Sequence, residues 1–575
     1  MKQDCIGARH SGPQRFRMTG GARAFMGSGG IPSAAAQSAA RRSVPRASLH
    51  SASKIIVSGL CLLIAALIGS PSLAQQAAPP TTLADLQQRF TEHVNHPRFA
   101  ASEFGVKIVS LDSGKTIFEH DAQKLLSPAS NSKLYTIALA LDRLGGDYRI
   151  KTSLYAEAKP NESGVLKGDL IVYGRGDPTI NAHLNGGNIY KALAPLVAAL
   201  TNAGVKRITG DIVGDESFIQ GPPYGSGWTW DDMDNYYGAE ISALTINDNT
   251  IQLIAKAGKS NGLPCQLSLS PATTYVVLSN RTETVAAGGR RSISCHRSIE
   301  QNVVYVTGQL PAGDRDFTDD VTMHNPAGLF VLLFKEALTR SGVKVSGKTR
   351  TINWQGREAN PLDVSKLVEL GSVESLSMRD IAREVQKPSQ NLYTDLMLAH
   401  VGEMERREPS PRERDSGDGR TDAARSIPLT SEDLGIRALR EFLAKVGIRR
   451  TDVQFEEGSG LSRNNLTTPN ATIALLKHMS QHAEADAYVN ALPIAGVDGT
   501  LRNRMKGTAA ANNVRAKTGT LRWANSLSGH VKTAGGEHWI FSIMLNRYAA
   551  SAEEKREAVD KIAVMLAEFN GKSAD

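Results

Sequence analysis

The sequence has 575 residues and a formal net charge of +8, so it is long enough for several buried cores. The charge is local: Lys2, Arg9, Arg15, Arg17, Arg23, Arg41, Arg42, Arg46 and Lys54 face one acid, Asp4, within residues 1–74, and the rest of the chain is balanced. A balanced chain gives no electrostatic case for a nucleic-acid partner.

Residues 1–74 read as a leader and signal peptide. Lys54 precedes an apolar run, 55–73, that ends in Ser72-Leu73-Ala74, the order of a secretory signal cleaved after Ala74. The expected destination is the periplasm, with peripheral membrane contact left open. The stretch upstream is longer than a basic leader requires, which points to a start downstream of Met1. Cys5 and Cys61 fall in this leader. Cys265 and Cys295 remain, and a surviving pair in an exported protein predicts one disulfide.

In chain order, residues 82–96 carry apolar side chains at helical spacing. Residues 104–119 alternate as two strands around Asp112-Ser113-Gly114-Lys115, a hairpin turn. Residues 130–144 form a helix apolar nearly all round, hence buried, and Gly145-Gly146 ends it. Residues 82–150 are therefore a first structural segment. Residues 151–360 carry short strand patterns at 169–173, 208–213, 250–255, 274–278 and 303–307, with a helix at 327–340. This block reads as one or two strand-rich inserted domains. Residues 361–575 return to helices at 377–386, 392–402, 434–446 and 469–481, strands at 514–517, 526–532 and 539–546, and a last helix at 552–569. Residues 405–425 are charged, Gly- and Pro-bearing and nearly free of apolar side chains, so a disordered surface insertion is expected.

Three motifs carry chemistry. Ser130-Asn131-Ser132-Lys133 opens the buried helix and sets a hydroxyl and an amine one turn apart on one face. A buried amine beside a second cation loses its proton more readily and can then activate the serine. Ser389-Gln390-Asn391 follows Pro388, which breaks the helix and presents a hydroxyl and an amide on a turn. Lys517-Thr518-Gly519-Thr520 ends a strand pattern. Its cation and hydroxyl suit a carboxylate, Gly519 lets a peptide backbone lie close, and Thr520 offers an N–H. Each motif alone has an ordinary reading as a cap or a turn; their order and contexts make the set specific.

Together they are the serine–lysine, serine–x–asparagine and lysine–threonine–glycine set of penicillin-recognising serine enzymes. The chain resembles the class C low-molecular-mass penicillin-binding proteins, the D-alanyl-D-alanine carboxypeptidase/endopeptidase family, over nearly all of residues 84–570. Supporting stretches are Leu126-Ser127-Pro128-Ala129-Ser130, Gly176-Asp177-Pro178-Thr179, Trp228-Thr229-Trp230-Asp231-Asp232, Gly458-Ser459-Gly460-Leu461-Ser462-Arg463 and residues 492–500. The large insertion between the first two motifs is also that family's mark.

The resemblance implies an α+β fold: a catalytic antiparallel sheet flanked by helices and split by the inserted domains. It implies that Ser130 is acylated and Lys133 is its base, that Ser389 relays a proton, and that Asn391 holds the substrate amide. Lys517 and Thr518 would bind the terminal carboxylate, and the N–H groups of Ser130 and Thr520 would form the oxyanion hole. Asp232, Tyr237 and Arg463 match positions that read the diaminoacyl side chain of the stem peptide. Arg522 stands where some relatives have glutamine. The implied partners are peptidoglycan stem peptide and β-lactam inhibitors; no cofactor is implied, and the oligomeric state is not read.

Other signals fail on context. Residues 342–349 match the phosphate-loop pattern, but that loop needs a strand before and a helix after, and here the order is reversed. No His, Cys or acid cluster has metal-ligand spacing. A β-lactamase-like hydrolase would carry a Glu-x-x-Leu-Asn loop, which is absent. A non-catalytic peptidoglycan-binding protein would have no need of all three motifs.

Overall fold

The computed structural model describes residues 79–407 and 428–574. The expected leader, its expected cleavage point and most of the charged insertion expected at 405–425 lie outside them; residues 405–407 continue a helix, Asn391–Arg407.

A five-stranded antiparallel sheet forms the base of the catalytic region. Its order is Arg515–Leu521, Ala524–Lys532, His538–Asn546, Glu103–Ser110, Thr116–His120. The first strand in sequence thus pairs with the last, and Arg515–Leu521 and Thr116–His120 are left as the two edges. Strand alternation gives the sheet two apolar faces. One packs on the helices Leu83–Val94 and Ala552–Glu568 through Phe90, Ile108, Phe541 and Ile562. The other meets an all-helical cluster in which Ser132–Leu144 is central. Its residues from Ser132 to Leu141 are buried without interruption, as an all-round apolar pattern requires. Around it lie Met378–Gln386, Asn391–Arg407, Ser431–Lys445 and Pro469–Met479.

The insertion leaves after Ile150 and returns at Ser375, where Ser375 N–H donates to the Ile150 carbonyl and Ile150 N–H to Ser375 Oγ. It is less purely stranded than expected. Its main sheet runs Thr349–Ile352, Ile212–Asp215, Leu170–Tyr173, Lys151–Ala156, Val368–Glu374. Ile212–Asp215 pairs in parallel with both its neighbours. Parallel neighbours need crossovers, and the helices Ile189–Asn202 and Pro326–Arg340 supply them. Because Val368–Glu374 pairs with Lys151–Ala156, the insertion extends past residue 360. Two further three-stranded sheets lie within residues 250–322. The phosphate-loop look-alike has a helix before it and the strand Thr349–Ile352 after it.

The expected Cys265–Cys295 disulfide is not formed; both thiols are free. Cys265 is hydrogen-bonded to Asn280 and Thr282 of the strand Val277–Val285. Cys295 lies in Ser294–Arg297, on the far side of the intervening strand Val303–Pro311. Two strand spacings amount to about 10 Å, and a disulfide bridges Cα atoms only within about 7 Å. Burial, with Asp319 beside it, pushes the Cys295 thiol up to about 12.

Candidate active site

The three motifs converge on one cleft of about 1040 Å³. Ser130, Ser389, Asn391, Thr518 and Thr520 line it, with Asp232, Tyr237, Arg463 and Arg522 around the mouth. Lys133 and Lys517 lie beneath this surface, fully buried.

Ser130 sits in the 3-10 turn Ala129–Asn131, just before the buried helix. Ala129 is held at φ 47°, a left-handed conformation that a non-glycine residue adopts at a cost of order 1 kcal/mol. Two glycines make room for this turn. A Cβ on Gly460 would lie 1.9 Å from the Ala129 carbonyl oxygen, and one on Gly519 would lie 2.4 Å from that of Pro128. The space Gly519 frees is thus filled by the turn that carries Ser130, not by a substrate backbone as the sequence reading proposed. The sheet also grips the turn directly: Ser526 Oγ donates to Pro128 O at 2.6 Å, and Asn131 Nδ2 to Ser528 Oγ at 2.8 Å.

Lys133 Nζ lies 3.1 Å from Ser130 Oγ, 2.6 Å from Asn391 Oδ1 and 2.6 Å from the Ser459 carbonyl oxygen. Burial pushes its ammonium down to about 8, and negative charge on either nearby carboxyl, Asp395 or Glu457, would oppose that shift. Asn391 starts its helix, and its Nδ2 donates to the Tyr237 carbonyl at 2.9 Å. That bond orients the amide so that its oxygen faces Lys133, and it ties the insertion to the site by a main-chain group. Tyr237 is also one of the residues that line the cleft.

Ser389, at φ 69°, is a second left-handed non-glycine residue. Lys517 Nζ donates to Ser389 Oγ and to the Thr518 carbonyl, each at 2.8 Å. Burial lowers the Lys517 ammonium well below its ordinary range, and Lys133 and Arg504 add to the effect. Among the described residues Lys517 has no ion pair. Thr518 Oγ1 bonds Thr500 Oγ1 at 2.8 Å.

At the mouth, Arg463 makes a two-pronged ion pair with Asp232, whose carboxylate also accepts from Thr229 N–H and Oγ1. Charges read separately in the sequence therefore satisfy one another. The Arg522 side chain is exposed, and its carbonyl accepts from Lys555 Nζ at 3.0 Å.

Sequence reasoning missed Asp395, Glu457 and Thr500 as individual groups, and the Ser459 carbonyl. Two signals were present: Asp395 stands one helical turn after Asn391, and Glu457 immediately precedes Gly458-Ser459-Gly460.

The family model described as D-Ala-D-Ala carboxypeptidase 3 (S13) matches residues 86–416 and 420–569. A D-alanyl-D-alanine carboxypeptidase of Actinomadura sp. (strain R39) is 32% identical over 524 residues, covering 89% of this chain and 90% of the relative. The D-alanyl-D-alanine carboxypeptidase DacB of Haemophilus influenzae is 24% identical over 502 residues, covering 86% and 95%. The crystal structure of penicillin binding protein 4 from Haemophilus influenzae has the same fold, with a TM-score of 0.66 at 23% identity over 84% of this chain and 98% of that one. The chain belongs to the D-Ala-D-Ala carboxypeptidase 3 (S13) family.

Proposed function

We propose that this protein is a serine D-alanyl-D-alanine carboxypeptidase that cleaves peptidoglycan stem peptides through an acyl-enzyme, and that β-lactams acylate the same serine. One observation carries the reading: Lys133 Nζ is fully buried 3.1 Å from Ser130 Oγ, a setting that favours a neutral amine. Such an amine has two hydrogens and a lone pair. Asn391 Oδ1 and the Ser459 carbonyl can only accept, so they take the hydrogens. The lone pair then faces the Ser130 hydroxyl.

Ser130 Oγ attacks the carbonyl carbon of the penultimate D-alanine and passes its proton to Lys133. The N–H groups of Ser130 and Thr520 stabilise the oxyanion. Collapse breaks the C–N bond, and the leaving amine takes a proton through Ser389, held by Lys517. The substrate lies extended along the edge strand Arg515–Leu521, the geometry of strand addition. Its terminal carboxylate meets Lys517 and Thr518 and supplies the counter-charge that Lys517 otherwise lacks. Water then attacks the ester and frees Ser130.

When the leaving amine belongs to a neighbouring stem peptide, the same steps open a cross-link, which is endopeptidase action. Asp232, Tyr237, Arg463 and Arg522 surround the diaminoacyl side chain. Such a substrate suits a mature protein in the periplasm, exported by a leader that ends at Ala74, with peripheral contact with the membrane left open. Labelled penicillin tests the centre of this reading. The intact protein becomes covalently tagged and Ser130→Ala does not; equal labelling of the two overturns the assignment of the nucleophile.

A further inference from the structure

Two buried carboxyls stand behind Lys133, and the steps above use neither. Asp395 lies on the helix Asn391–Arg407, and Glu457 precedes the loop that presents the Ser459 carbonyl to Lys133. Both are almost fully buried. Burying a carboxylate costs several kcal/mol unless donors or a cation compensate, so their hydrogen bonds tell them apart.

Glu457 accepts from the N–H and hydroxyl of Ser459, from Gly460 N–H at 2.7 Å and from Asn465 Nδ2 at 2.7 Å. Four donors spread over both oxygens is the pattern of an ionised carboxylate. Asp395 Oδ1 accepts only from Gly458 N–H at 3.0 Å, and its buried Oδ2 has no hydrogen-bond partner. That is a poor setting for a charge and a tolerable one for a carboxylic acid.

The remaining charged groups around Lys133 are Lys517 on the edge strand, with Arg504 beyond it, and Glu432 on the helix Ser431–Lys445, which acts on Asp395. With Asp395 protonated, Glu457 is the one carboxylate left beside Lys133 to favour its ammonium.

We propose that Glu457 is the fixed counter-charge that sets the proton affinity of Lys133, while Asp395 holds a proton of its own. Both are positioning residues, acting through Lys133 without touching substrate. Burial and the neighbouring Glu457 raise the Asp395 carboxyl well above its usual range, in keeping with this division.

The inference rests on the reading of Lys133 as base, and one experiment separates the two. The rate constant of penicillin acylation is measured against pH for the intact protein, Glu457→Gln and Asp395→Asn. The rate constant is a property of the folded fraction, so partial misfolding lowers amplitude and leaves the limb in place. Removing the Glu457 charge destabilises protonated Lys133, so Glu457→Gln moves the acidic limb to lower pH by about one unit or more. Asp395→Asn leaves the limb within about 0.3 unit, because an uncharged group replaces an uncharged group. Glu457→Asp, which keeps the charge, restores the original limb. An unmoved limb in Glu457→Gln, or an equal shift in Asp395→Asn, overturns the proposal. Labelling that survives Ser130→Ala overturns instead the reading beneath it.

Discussion

The floor and the rim of the cleft are built on opposite principles. On the floor, Lys133 and Lys517 are fully buried, two non-glycine residues bear left-handed backbone, and each amine is held by hydrogen bonds alone. On the rim, Arg463 pairs with Asp232, and Arg522 and Trp523 reach solvent. Reactivity requires an amine without its proton, which only desolvation and neighbouring charge can bring about near neutral pH. Selectivity among substrates requires charges that can exchange partners, which water permits. The floor therefore carries the energetic cost and the rim the adaptability.

This contrast can be broken or sharpened in order of expected effect. Lys133→Met keeps most of the volume and removes the base, so penicillin acylation should fall by about 10³-fold or more; a loss below tenfold would move the base elsewhere. Acidification should come next. Lys133 sits near 8 and accepts a proton only when neutral, so the acylation rate rises with pH through about 8. Between pH 8 and pH 6 it should fall about fiftyfold, following the neutral fraction. A flat stopped-flow profile over that interval would contradict the buried-base reading.

Gly519→Val tests the floor's packing. Its Cβ would collide with Ser526 Oγ and the Pro128 carbonyl, so a loss of about 1–3 kcal/mol in stability is expected in a denaturant titration, together with slower labelling. An unaltered midpoint would mean that the turn yields freely. Asp232→Asn should have the smallest effect on chemistry. We expect kcat/KM on a diaminoacyl stem peptide to fall about tenfold, the scale of one charge-assisted contact, with penicillin acylation within about twofold. Equal losses on both substrates would erase the distinction between rim and floor.

The convergence of the floor's side chains was legible in the sequence because the proposed chemistry demands fixed types at short spacing: Ser130 with Lys133, Ser389 with Asn391, Lys517 with Thr518. Their supports were not, because a carboxyl such as Glu457 acquires its role through burial and through donors that no spacing rule names. The hairpin at residues 104–119 and the buried helix were readable from alternation and from an unbroken apolar surface. The helix Ile189–Asn202 was missed although Ile189, Leu193, Leu196, Val197 and Leu200 recur at helical spacing. Pro195 interrupts its donors, and strand-like segments flank it. The cysteine pair misled because an even count carries no information about a strand lying between the two thiols.

The order of strands in the catalytic sheet has a consequence for how activity first appears. Ser127 N–H bonds Asn546 Oδ1 across 419 residues of sequence, and the turn that carries Ser130 rests on strands made near the end of synthesis. A growing chain holds both the serine and its lysine early, yet it has nothing to brace them against until the closing hairpin arrives. Contacts so distant in sequence form late, so wall-cutting power is withheld from every incomplete copy by topology alone.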